Sequence, residues 1–193
     1  MKKYLHIALM LLCVFVVSSC KDDDDDTEAV EREAYKLEQD IAFQAKVNET
    51  GFEKWNSEAG DGYVFAKLIK KGDGKQDYFN SLVSVYYKGS LTDGTVFDQQ
   101  LFDDGIPFPC AVSPYYAKTV TDPVTNSQTK YGSVISGWTV ALQHMVEGDK
   151  YEVWIPQQLA YGASESGDIP AYSTLIFEIG FDQFLRNRFE IPV

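Results

Sequence analysis

The sequence predicts an α+β domain in which an antiparallel sheet wraps around one short helix, with a further helix ahead of it. Three observations predict this. Several segments alternate apolar and polar residues with period two, one short segment after Gly137 breaks that alternation, and residues 28–50 repeat apolar positions at steps of three and four. The 193 residues are 45% apolar and 14% aromatic, enough to bury a sizeable core and unlike a disordered chain.

At the N-terminus, Lys2-Lys3 precede an apolar run from Leu5 to Val17 that only His6 interrupts. This reads as a secretory signal over residues 1–19, too short and wrongly flanked for a spanning helix. The run ends in Val17-Ser18-Ser19-Cys20. Small residues ahead of a cysteine resemble the lipobox of bacterial lipoproteins, which implies that Cys20 becomes the lipidated first residue and ties the chain to a membrane. Each buried acyl CH₂ contributes about 0.8 kcal/mol to such an anchor. Asp22 to Asp26 follow, and residues 20–27 read as a self-repelling acidic tether. The run lacks the glycine that an EF-hand loop needs at its sixth position. An acidic run behind a lipidated cysteine is similar to the surface-export signal of some Gram-negative lipoproteins. The expected location is therefore the outer membrane of a Gram-negative bacterium, on its periplasmic or its cell-surface face. Cys13 leaves with the signal and Cys20 takes the lipid, so Cys110 remains alone and no intrachain disulfide can form.

Residues 28–50 contain no Gly or Pro, and Val30, Ala34, Leu37, Ile41 and Ala45 line one helical face. Glu28, Glu31 and Glu33 near the start suit the positive helix end. That face can lie on the domain or dimerise with a second copy, and the sequence leaves both open. Residues 51–60 read as a joint, closing an N-terminal extension of 28–60. From residue 61 the period becomes two. Tyr63–Ile69 reads as a strand and 70–76 as a turn. In Leu82–Tyr87, Val83, Val85 and Tyr87 share one face, with Ser84 and Tyr86 on the other. Thr92-Asp93-Gly94 is a turn signal. Trp138–Met145 has few β-branched residues and reads as the short helix. Tyr151–Ile155 and Leu175–Asp182 alternate again, ending a domain of 61–184 with a tail at 185–193.

Charge and motif content exclude several classes. There are 17 basic against 29 acidic residues, a net charge of −12, which argues against a nucleic-acid partner. Two histidines, His6 and His144, leave little for a His-based metal site, so no metal is expected. No phosphate loop, CxxC pair or nucleophile elbow occurs, and no cofactor is expected. Cys110 and His144 formally make a nucleophilic pair. No orienting Asn or Asp can be assigned to it, and Cys110 sits in an apolar stretch.

What stands out is a series of aromatic and apolar residues beside turns: Val85-Tyr86-Tyr87-Lys88-Gly89, Gly94-Thr95-Val96-Phe97-Asp98, Val134-Ile135-Ser136-Gly137-Trp138, Ala160-Tyr161-Gly162 and Ile169-Pro170 with Phe177. In order and spacing, from about residue 61 to 184, they resemble the FKBP-type peptidyl-prolyl isomerases. The resemblance implies an FKBP-like fold and rotation of X–Pro bonds in proline-containing polypeptides during the folding of exported proteins. It implies a catalytic set of Tyr87, Phe97, Asp98, Trp138, Tyr161 and Phe177. It further implies substrate contacts from Phe108, Val134, Ile135 through its N–H, and Ile169. Trp138 matches the indole floor under the proline ring, and Tyr161 the hydroxyl that bonds a substrate carbonyl. There are departures. Tyr86 stands where a His or similar polar residue is common, Pro170 is followed by Ala171-Tyr172, and the loop Ser164–Asp168 is short and acidic. An insert over 111–132 lengthens the stretch between Phe108 and Val134. Two readings of another class share this fold: a non-catalytic peptide-binding or chaperone module, and a surface protein that meets a partner through the insert.

Overall fold

The structure, a computed structural model, describes residues 24–76, 79–122 and 124–184. The expected signal 1–19, Cys20 and the tail 185–193 lie outside them. Two compact units are distinguished, one up to Arg32 and one from Glu33 onward. A helix, α1, spans Asp24–Gln44, and a 3₁₀ turn at Ala45–Asn48 follows. It begins inside the segment read as a tether and ends before residue 50. Within the first unit, Arg32 pairs with Glu28 at 3.1 Å, one helical turn away.

The second unit holds the sheet. Strands β1 (Phe52–Asn56), β2 (Tyr63–Lys70), β3 (Leu82–Ser90), β4 (Val96–Gln100), β5 (Phe108–Ala111), β8 (Lys150–Ile155) and β9 (Leu175–Phe184) form one antiparallel sheet. Their order is β1-β2-β8-β9-β3-β4, and β5 pairs with β3 beyond β4. Helix α2 (Ser136–His144) packs its Trp138, Val140, Ala141 and Leu142 into the core. The inward residues are those the alternation assigned. Val83 and Val85 on β3, and Leu175, Phe177, Ile179 and Phe181 on β9, are buried. Gly137 admits the sheet, because a Cβ there would lie 2.3 Å from Ile155 Cγ2.

The structure adds to the sequence reading in three places. Residues 51–60 are not merely a joint, since β1 pairs with β2 from Phe52↔Lys67 to Asn56↔Tyr63. Trp55 carries this short edge strand, stacking on His144 at 4.8 Å and meeting Tyr151 edge-on. The insert is ordered as a separate hairpin, β6 (Lys118–Thr121) with β7 (Gln128–Tyr131). The Ala111 N–H donates to Gly132 O at 3.0 Å across its base. In the second unit, the apolar stripe of α1 does not dock: Leu37 is 61% and Ile41 62% exposed. The docking face is polar and aromatic. Gln39, 2% exposed, donates from Nε2 to Thr92 Oγ1 and accepts the Thr174 N–H on Oε1. Phe43 packs with Phe65 and Trp154. No helix among the described residues is long and apolar enough to cross a membrane.

Candidate functional site

Strand β3 carries the centre of the site. Tyr87 follows Val83 and Val85 on the helix-facing side, so its phenol projects towards α2. The ring meets Trp138 edge-to-face at 5.1 Å and 79°. Trp138, 4% exposed, in turn meets Phe177 at 5.2 Å and 89°. Phe97 closes on Phe177 at 5.5 Å. Such perpendicular contacts set the positive ring edge against the negative ring face and add about 0.5–1.5 kcal/mol each. Gly89 makes the approach of Phe97 and Phe177 possible. A Cβ at that position would lie 2.7 Å from both rings.

Around this floor opens a cavity of about 340 Å³. Phe108, at the start of β5, forms one side, with its ring 5.6 Å from Tyr87. Ser133, Val134 and Ile135 form the side leading into α2, and half-exposed Tyr161 stands on the margin. Asp98 is the single charged residue in the lining. Its Oδ2 accepts the Tyr87 hydroxyl at 2.6 Å. Burial first, and then this bond to a carboxylate, push the Tyr87 pKa well above the ordinary tyrosine value. The bond gives the Asp98 carboxyl a partner beside an aromatic wall, a place that would be costly for it without one. Trp138 Nε1 is the one buried side-chain donor without a partner among the described residues.

The cavity thus gathers nine of the residues singled out from the sequence, Tyr87, Phe97, Asp98, Trp138, Tyr161, Phe177, Phe108, Val134 and Ile135. Ile169 stands apart. It is 5% exposed in the core and does not border the cavity. Ser166 and Ile169 exchange two backbone hydrogen bonds of 3.0 Å, and this tight turn draws Ile169 inward. Ser133 was not anticipated. Its only sequence signal is its place directly before Val134. Neither Cys110, fully buried, nor His144, stacked on Trp55, lines the cavity. Among the described residues there is no cluster of metal-ligating side chains.

A sheet closed over one helix thus carries an aromatic cavity with one tyrosine–carboxylate pair in its lining. Residues 78–181, more than half of the chain, match the family model of the FKBP-type peptidyl-prolyl cis-trans isomerases, and the chain belongs to that family. An FKBP-type peptidyl-prolyl cis-trans isomerase of Aeromonas hydrophila is 34% identical over 80% of this chain and 47% of its own length. The outer membrane protein MIP of Legionella longbeachae is 37% identical over 58% of this chain and 40% of its own. The chain therefore spans less than half the length of either relative. A solved peptidyl-prolyl cis-trans isomerase of Pseudomonas syringae superposes with a TM-score of 0.59 at 27% identity, covering 86% of this chain and 98% of the other.

Proposed function

We propose that this chain accelerates cis–trans isomerisation of X–Pro bonds in exported polypeptides as they fold. The observation that carries this reading is the aromatic cavity with its Tyr87–Asp98 pair and no nucleophile–base couple, in a chain of an isomerase family. Rotation about the bond is opposed by amide resonance, a barrier of about 18–20 kcal/mol, and needs no covalent step. The twisted imide has less charge separation than the planar one. A dry cavity therefore disfavours the planar form relative to the twisted one, which is preferential binding of the transition state. In this reading the proline ring rests on Trp138 between Phe97, Phe177 and Val134. The Ile135 N–H and Tyr161 hydroxyl hold flanking carbonyls, Phe108 closes the far wall, and Asp98 orients the site through Tyr87. Asp98→Ala removes the charged hydrogen bond and should lower kcat/KM for a proline peptide by about ten- to a hundredfold while the fold persists. An unchanged rate would refute the pocket assignment.

The same reading extends to location and assembly. Lys2-Lys3, the apolar run and Val17–Cys20 support export and a lipid anchor on Cys20, in keeping with the outer-membrane name of the Legionella relative. The exposed stripe of Ala34, Leu37 and Ile41 supports pairing with a second copy of the chain.

A further inference from the structure

Within the second unit, one side of α1 holds two stretches of chain, and both lead into the aromatic cavity. Gln39 ties them together. Its Nε2 donates to the Thr92 hydroxyl at 3.0 Å. Its Oε1 accepts the Thr174 N–H and its backbone carbonyl accepts the Thr174 hydroxyl, each at 3.2 Å. Gln39 and Thr174 are 2% and 1% exposed, so these bonds are shielded from competing water. Thr92 lies in the turn that enters β4, where the Leu91 N–H donates to Thr95 O at 2.8 Å and Phe97 and Asp98 follow. Thr174 stands directly ahead of β9, which carries Phe177.

One helical turn earlier, Tyr35 and Lys36 hold the turn at 170–173. The Ser173 hydroxyl donates to Pro170 O at 2.8 Å, so its oxygen accepts the Tyr35 hydroxyl, also at 2.8 Å. Lys36 Nζ lies 5.3 Å from the centre of the Tyr172 ring. Tyr172 itself is left-handed, with φ of 65°, a conformation that residues with a Cβ avoid unless their surroundings impose it. In that conformation the Tyr172 N–H donates to Gly162 O at 2.7 Å. The Gly162 N–H donates in turn to Gln157 O at 2.9 Å, so the residue after Tyr161 is fixed from both sides. Tyr161 stands on the cavity margin and is 41% exposed, so its ring depends for its place on the backbone beneath it.

We propose that Tyr35 and Gln39 are positioning residues for the isomerisation: α1 holds the 170–174 turn in its left-handed form, and that turn sets Tyr161 through Gly162. The inference rests on the prolyl-isomerase reading of the cavity. Both residues precede the stretch 78–181 that matches the family model, so this chain supports its site from outside that stretch. Helix α1 then serves turnover as well as stability.

A double-mutant cycle on the full chain tests this, with a proline tetrapeptide as the probe. Tyr35→Phe removes one oxygen and leaves Ser173 its bond to Pro170, so the fold persists. It should lower kcat/KM about three- to fivefold. Tyr161→Phe should lower kcat/KM by itself, and adding Tyr35→Phe to it should lower the rate no further, because the hydroxyl to be placed is gone. A general loosening of the fold would instead multiply the two losses. Gln39→Ala should follow the same pattern, compared at equal folded fraction. Independently of turnover, hydrogen exchange at the Tyr172 amide should quicken in Tyr35→Phe by more than it does at Val153 in β8. Unchanged kcat/KM in both Tyr35→Phe and Gln39→Ala, or losses that multiply in the Tyr161→Phe background, would overturn the inference. A wild-type chain that binds the tetrapeptide without turning it over would overturn the isomerase reading. Quickened Tyr172 exchange and the same cycle read in peptide affinity would then still support the hold of α1 on Tyr161.

Discussion

Tyr87 and Gly89 show how much of the site depends on single residues of β3. The hydroxyl of Tyr87 is held by Asp98 and by burial in its neutral form, which raises its pKa in the folded chain. A group whose folded pKa is raised contributes stability that is present in full below the unfolded value near 10. That stability is lost as pH rises from there towards the folded value. Denaturant titrations between pH 8 and 11 should therefore show stability falling above about pH 10, with a shallower fall in Tyr87→Phe. Equal slopes would mean that Tyr87 ionises freely. Gly89→Ala sets a methyl against two rings that cannot both retreat, and should cost about 1–3 kcal/mol and weaken binding of proline peptides. Most of the cavity residues were legible in the sequence, because the resemblance carried by the motifs points to Phe97, Asp98 and Trp138 without coordinates. Ser133 and Ile169 were not, because a side chain's place in a wall or behind it depends on loop closure, here the reciprocal Ser166–Ile169 bonds.

Helix α1 reads differently once its faces are separated. Periodicity finds apolar residues but does not say which face a domain will take. In the second unit, buried Gln39 bridges Thr92 and Thr174, and Tyr35 bonds Ser173 at 2.8 Å. These contacts brace the segment after Ile169. Two substitutions two residues apart, on opposite faces of the helix, should therefore diverge. Gln39→Ala leaves the Thr92 and Thr174 partners unpaired and should cost about 1–3 kcal/mol of stability. Leu37→Glu touches no core and should leave stability unchanged while shifting sedimentation to a monomer. Unfolding by Leu37→Glu would mean that the exposed stripe is part of the fold. The strands were far easier to read. Alternation in β3, β8 and β9 names their buried faces, whereas β1 and the β6–β7 hairpin carry too few apolar residues to announce themselves. Beyond β1, Asp149 organises the turn at 70–76: it accepts the Gly72 and Val146 N–H groups at 2.7 and 2.8 Å. Such clamps leave no periodic trace.

Across the whole molecule, an acidic chain surrounds an apolar site. The charge of −12 argues against a phosphate-backbone partner but does not describe the proposed chemistry, which is assigned to a cavity with one carboxylate. The proposed anchor sets where that chemistry acts. Metabolic labelling with a fatty acid should mark the chain and be lost in Cys20→Ala, and label retained in that variant would remove the lipid from the account. The central claim, catalysed rotation about prolyl bonds, is tested most directly by exchange spectroscopy on a proline peptide with a small fraction of the chain added. Uncatalysed interconversion takes tens to hundreds of seconds, so the free peptide shows separate cis and trans signals without cross-peaks. The account predicts cross-peaks on adding the wild-type chain and far weaker ones with Asp98→Ala. A folded wild-type chain that leaves cis and trans signals unexchanged would contradict it.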